Sequence, residues 1–101
     1  MLHGDAGIGN VLATTSGLRW HDFEDTCFGS VAWDVAASTA NPRRDSARFL
    51  AAYGEPVDAD QVRICERLRR LHLTVWYCLY AERLPYCRQR ATELLASWRG
   101  R

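Results

Sequence analysis

The chain has 101 residues, of which 48% are hydrophobic, so we expect one domain or part of one, with a packed core. Thirteen basic and twelve acidic residues leave a net charge of +1, which gives no electrostatic support for nucleic acid or an anionic membrane surface as a partner. All thirteen basic residues are arginines, so the sequence contains no lysine.

The cysteines and the apolar stretches indicate the cellular setting. No C-x-x-C pair occurs and no signal peptide is evident at the N-terminus, which predicts reduced thiols in a cytoplasmic protein. The longest apolar-rich stretch, residues 71 to 84, is shorter than the roughly 20 residues needed to cross a bilayer. We therefore expect no membrane partner.

Residues 1–32 are predicted to alternate short strands with loops. The runs 10–14 and 18–22 are short and apolar, and Thr15-Ser-Gly17 between them supplies a glycine for a positive φ angle. This pattern is typical of a β-hairpin. Residues 23–32 are predicted to form a loop, because they contain acids, a serine and a glycine.

The remainder, residues 33–101, is predicted to be almost entirely helical. Asn41 and Pro42 are expected to end the first helix and to begin the second, and Gly54 is expected to be a left-handed C-cap. Asp58 is expected to cap the third helix, and Pro85 to end it. The four predicted helices span residues 33–40, 43–53, 59–83 and 88–98.

The third predicted helix carries apolar residues at steps of three and four, which predicts a single buried face. These residues are Val62, Cys65, Leu68, Leu71 or His72, Val75, Trp76 and Leu79. The predicted fold class is therefore α+β, with a loop and a hairpin packed on a mainly helical lobe.

Three polar side chains around the hairpin have the chemistry needed for phosphoryl transfer. Asp5 is a candidate base for an acceptor hydroxyl, whereas Asn10 and Asp22 offer hard oxygen ligands for magnesium. The hairpin is expected to bring Asp22 back near Asn10. The spacing from Asp5 to Asn10 equals that of the protein-kinase catalytic loop, and Asp22-Phe23-Glu24 stands where kinases have D-F-G.

His3-Gly-Asp5, Asn10 and the later Asp-Phe-Glu together resemble the aminoglycoside phosphotransferase family, whose members are small-molecule kinases with a protein-kinase-like fold. Residues 29–36, Gly-Ser-Val-Ala-Trp-Asp-Val-Ala, resemble that family's next motif. The resemblance covers residues 2–37. It implies that the chain is the C-terminal lobe of such an enzyme.

The resemblance implies a role for each matching residue. Asp5 would be the catalytic base, and Asn10 and Asp22 would bind Mg²⁺. Asp34 would support the catalytic loop through backbone N–H groups, with His3 as a second supporting residue. The donor would be ATP, and the acceptor a hydroxyl of a small molecule, with aminoglycosides as one candidate class.

Several features depart from the family pattern. Ile8 stands where the family usually has proline, and His21 stands at a position that is usually apolar. The family's nucleotide-covering loop and its phosphate-pairing lysine belong to an N-terminal lobe, which is expected to be absent from this chain or encoded separately. The chain alone is therefore expected to bind ATP weakly and to lack turnover.

Two alternative functions remain open from the sequence. The chain could be a catalytically inactive, truncated remnant with no enzymatic role. A metal-dependent phosphohydrolase is the other, with the His21-Asp22 pair, His3 and Asp5 as ligands. Neighbouring residues on a strand point to opposite faces, which disfavours a joint role for the pair.

Overall fold

The computed structural model describes residues 1–40 and 45–100, and the α+β class is confirmed. The chain divides into two compact units, Met1–Arg67 and Leu68–Arg101, with the boundary inside the third helix. The described helices are α1 (Val31–Thr39), α2 (Ser46–Tyr53), α3 (Ala59–Tyr80) and α4 (Pro85–Arg99), and the strands are β1 (Val11–Thr14) and β2 (Gly17–Trp20).

The predicted hairpin is confirmed, but its second strand ends at Trp20, so His21 and Asp22 follow the strand and the strand argument against their joint role does not apply. Strands β1 and β2 pair antiparallel, with Val11 opposite Trp20 and Thr14 opposite Gly17. Gly17 has φ +112, so the glycine takes the positive φ angle that the connection requires. A short 3-10 turn, Ile8–Asn10, leads directly into β1 and joins the hairpin to the loop before it.

Helix α1 begins two residues earlier than predicted, because the loop expected over residues 23–32 ends at Ser30. The Ser30 hydroxyl accepts a hydrogen bond from the Ala32 N–H at 3.3 Å and is the N-cap. Asp34 consequently lies in the first turn of α1. This position directs a carboxylate from the start of the helix towards the loop at residues 3–4, as described below.

Helix α2 begins at Ser46 rather than residue 43, since Asp45 is its N-cap and accepts from the Arg48 N–H at 3.0 Å. The predicted cap pair, Asn41 and Pro42, lies outside the described residues. Gly54 ends α2 at φ +76, which confirms the predicted left-handed C-cap.

The Asp58 cap of α3 is confirmed, because its carboxylate accepts from the backbone N–H groups of Asp60 and Gln61. Helix α3 ends at Tyr80 rather than residue 83, and residues 81–83 form turns. Pro85 is the first residue of α4, so the proline begins a helix that was expected to start at residue 88.

The core of the first unit lies between α1 and the first turns of α3. Ala32, Val35 and Val62 are buried there, with Phe49 and Leu50 of α2 packed against them. Inside the second unit, Thr74 of α3 and Cys87 and Ala91 of α4 are buried, and the Trp98 indole N–H of α4 donates to the Thr74 hydroxyl at 3.0 Å.

The single buried face predicted for α3 is wrong beyond its first turns. Val62 is buried and Cys65 is half-buried, but the apolar residues that follow are between 43% and 72% exposed. These are Leu68, Leu71, Val75, Trp76 and Leu79. The α3 side chains that contact α4 include Arg70 and Thr74, which contact Trp98, and Tyr77, which lies beneath the Arg90 guanidinium.

The four cysteines are free thiols: Cys87 is buried, Cys65 is half-buried, and Cys27 and Cys78 are exposed. Across residues 1–40 and 45–100, none of the helices has the length and apolar character needed to span a membrane.

Candidate active site

The Asp34 carboxylate holds the loop at residues 3–4. Its Oδ2 atom accepts from the His3 backbone N–H at 2.8 Å, and its Oδ1 atom accepts from the Gly4 N–H at 2.9 Å. Hydrogen bonds to an ionised acceptor are roughly twice as strong as neutral ones. The first turn of α1 therefore fixes the backbone immediately before Asp5.

The His3 imidazole bridges the loop and the hairpin. Its Nδ1 atom accepts from the Asp5 N–H at 3.2 Å, and its Nε2 atom lies 2.8 Å from the His21 carbonyl oxygen. Since Nδ1 accepts, the neutral ring carries its proton on Nε2 and donates it to His21. The ring also packs against Trp20 and Phe23, with centroids 5.4 and 4.9 Å away.

Gly4 has a steric role that the motif alone does not reveal. It has φ +90, and a Cβ atom built on it would lie 2.1 Å from the Asp25 carbonyl oxygen. A larger residue at this position would displace the segment that follows Asp22-Phe23-Glu24. The close approach accounts for the glycine at this position.

Asn10 contacts the candidate base directly. Its side-chain Nδ2 group donates to the Asp5 backbone carbonyl at 2.8 Å and to the Asp5 Oδ2 atom at 3.0 Å. The Gly7 N–H also donates to the Asp5 carbonyl, at 2.9 Å. With its amide nitrogen directed at Asp5, Asn10 has Oδ1 as the atom that could bind a metal.

The hairpin places His21, the residue before Asp22, against Asn10. Val11 and Trp20 are opposite each other, and the His21 N–H donates to the Asn10 carbonyl at 2.9 Å. Asp22 follows at once and is exposed. Among the described non-glycine residues, Asp22 alone has a positive φ angle, at 61°. Such backbone conformations cost energy and concentrate at functional sites.

Asn10 and Asp22 offer oxygen atoms as donors, which suit magnesium better than a softer metal. In the described part of the chain, no group of three or more His, Cys, Asp or Glu side chains is placed to hold a metal ion. Magnesium, however, is commonly bound by one or two protein oxygens together with water and substrate phosphates. The Asn10 amide oxygen and the Asp22 carboxylate are oxygens of that kind.

An open apolar cavity of about 590 Å³ lies beside the loop in the first unit. Trp20, Phe23, Phe49 and Tyr53 contribute aromatic walls. Its volume lies in the range of small-molecule sites, but its lining is mostly apolar. A polar, multiply charged acceptor would therefore find few partners in it.

Two contacts of the loop were not anticipated from the sequence. The Trp33 indole N–H donates to the Gly4 carbonyl at 2.7 Å, and the Ser38 hydroxyl donates to the Ala6 carbonyl at 3.2 Å. A sequence signal existed for Ser38 only, because it lies four residues, about one helical turn, after Asp34 and so shares its face.

No protein-family model matches the sequence, and no curated protein or solved structure matches it significantly.

Proposed function

We propose that this chain supplies the catalytic base and the magnesium ligands of an ATP-dependent phosphotransferase that acts on a hydroxyl of a small molecule. Asp5 is the base, and Asn10 and Asp22 are the ligands. The observation that carries the proposal is the bonding of Asp5, whose Oδ2 atom accepts from the Asn10 amide at 3.0 Å. The proposed base and one proposed magnesium ligand are thus in direct contact.

The proposed roles follow from the chemistry of phosphoryl transfer. The transition state spreads negative charge over the transferred group, so the protein mainly positions reactants and supplies counter-charge. Asp5 accepts the proton of the acceptor hydroxyl, and its bond to Asn10 holds the carboxylate in position. Asn10 and Asp22 would hold the magnesium ion, which would supply counter-charge to the phosphate groups.

The charge distribution supports a cation at this site. Residues 1–34 contain five acids and one arginine, so this segment attracts Mg²⁺ and repels an unaccompanied ATP anion. The positive φ of Asp22 is further support, because costly backbone conformations cluster at functional sites.

The proposed enzyme also needs a cation for the ATP phosphates. In the family that the chain resembles, a lysine of the nucleotide-binding lobe has this role, and this sequence contains no lysine. We therefore propose that the cation comes from a nucleotide-binding lobe outside these residues or on a separate polypeptide. We also propose a cytoplasmic location, which four free thiols support.

The absence of lysine also favours a second candidate, a catalytically inactive remnant. The phosphohydrolase alternative has less support, because it requires a metal-binding ring nitrogen on His3. Both of those nitrogens contact backbone groups, at 3.2 and 2.8 Å.

Titration of the 101-residue chain with ATP, with and without Mg²⁺, tests the proposal. We expect a magnesium-dependent interaction weaker than about 1 mM and no turnover, because the phosphate-pairing cation is missing. Asp22→Asn should remove the magnesium dependence, whereas the matched variant Asp60→Asn, at an exposed acid paired with Arg63, should not.

Binding that is independent of magnesium, or equally affected by both variants, would refute the assigned ligands. Tight binding by the wild-type chain would refute the need for a further lobe. No magnesium-dependent interaction at all would favour the inactive remnant.

A further inference from the structure

Helix α1 contacts the candidate catalytic loop through other side chains besides Asp34. Trp33 donates its indole N–H to the Gly4 carbonyl at 2.7 Å, and Ser38 donates its hydroxyl to the Ala6 carbonyl at 3.2 Å. Gly4 and Ala6 flank Asp5 on either side. The two α1 side chains therefore hold the backbone immediately before and after the candidate base.

The peptide group that joins Gly4 to Asp5 is held at both ends. Its carbonyl accepts from Trp33, and its N–H donates to the Nδ1 atom of His3 at 3.2 Å. A peptide group is planar, so fixing its oxygen and its nitrogen fixes the orientation of the whole plane. That plane sets the direction in which the Asp5 side chain leaves the backbone.

We propose that Trp33 and Ser38 are positioning residues that aim the Asp5 carboxylate through the two adjoining backbone carbonyls. The proposal rests on the proposed function only in naming Asp5 as the base. Trp33 orients the peptide before Asp5, and Ser38 restrains the residue after it. The Asn10 amide, which donates to two oxygens of Asp5, reports whether the carboxylate is held in place.

Trp33→Phe and Ser38→Ala test the proposal in the full chain, because each removes the donor and keeps most of the side chain. Trp98→Phe is the matched control for the first, since it removes an indole N–H that donates to Thr74 at 3.0 Å. Ser46→Ala is the matched control for the second, since its hydroxyl donates to the Thr39 carbonyl at 2.9 Å.

Nuclear magnetic resonance gives two signals that a general loss of stability does not move. They are the ring-nitrogen shifts of His3, which report its tautomer, and the side-chain amide shifts of Asn10. We expect Trp33→Phe and Ser38→Ala to shift both signals and to speed hydrogen exchange at the Asp5 N–H by about tenfold, as for a lost hydrogen bond. Trp98→Phe and Ser46→Ala should leave both signals at their wild-type positions.

Ser38→Thr keeps a hydroxyl and should retain the wild-type signals, which distinguishes the hydrogen bond from packing. If Trp33→Phe lowers the melting temperature but leaves the His3 and Asn10 signals unchanged, Trp33 is only structural and the proposal is wrong. If Trp33→Phe does not fold, Ser38→Ala decides: shifted signals support the proposal, and unchanged signals overturn it.

These measurements need no nucleotide. Failure of the chain to bind MgATP would count against the proposed function, whereas unmoved loop signals would count against this proposal alone.

Discussion

The Asp34→Asn substitution tests the central support of the loop. An asparagine has nearly the same shape as aspartate but has one oxygen and a donating amide group. It can accept from either His3 or Gly4, and its NH₂ group then faces the other backbone N–H at a distance of 2.8 or 2.9 Å. The substitution therefore removes one charge-assisted bond and weakens the other.

The expected cost follows from the two bonds. Hydrogen bonds to charged groups contribute roughly 1.5–3 kcal/mol each, and an unsatisfied buried donor adds a further penalty. We expect Asp34→Asn to lower the free energy of unfolding by about 3 kcal/mol. That is a large share of the roughly 5–15 kcal/mol by which proteins are stable.

Urea denaturation followed by circular dichroism measures this free energy, and hydrogen exchange at the His3 and Gly4 amides locates the loss. The matched control is Asp45→Asn, at the N-cap of α2, where the side chain accepts from Arg48 at 3.0 Å. Asparagine caps helices about as well as aspartate, so this control should be nearly neutral. If Asp34→Asn costs no more than Asp45→Asn, the reasoning about the loop support is wrong.

Three further predictions concern stability. Gly4→Ala should destabilise the chain by about 3 kcal/mol in denaturation experiments, because it combines a strained φ with a clash against Asp25. Gly7→Ala, whose added Cβ has no atom within 4 Å, should be tolerated; equal effects would contradict the close approach. Asp58→Ala should lower the free energy of unfolding in the same experiments by about 1 kcal/mol, because it removes a helix cap. An unchanged free energy would contradict a stabilising role for this cap. Burial raises the pKa of Tyr77 above its ordinary value of 10.0, so its stabilising contribution is present below that pH and is lost as pH rises through the raised pKa. Tyr77→Phe should flatten the alkaline decline of stability measured by urea denaturation, and an unchanged decline would contradict this assignment.

The sequence predicted those elements whose signals are local. The hairpin and the Gly54 cap depend on residues next to each other, and both are confirmed. The sequence pattern predicts the start of α1 two residues too late, because the predicted loop includes Ser30, whose hydroxyl caps the helix. The exposed stretch of α3 is not predictable in this way, because apolar periodicity shows that a face could be buried but does not show what covers it.

The candidate site was predictable as a set of residue types, and less so as a geometry. Spacing selects Asp5, Asn10 and Asp22 as candidates, but it does not predict the hydrogen bond between Asn10 and Asp5. The contact from Trp33 to Gly4 joins residues 29 apart in sequence, so no local pattern reveals it. The glycine requirement at position 4 likewise arises from a distant backbone segment.

Site-resolved binding of Mn²⁺, used as a paramagnetic substitute for Mg²⁺, tests the central claim most directly. At low Mn²⁺ concentration, nuclear magnetic resonance signals should broaden first at the Asn10 side-chain amide and the Asp22 backbone, excess Mg²⁺ should reverse the broadening, and Asp22→Asn should abolish it. Broadening that is strongest at other acids, such as Asp58 and Asp60, or that survives Asp22→Asn, would contradict the assignment of this loop and hairpin as a magnesium site.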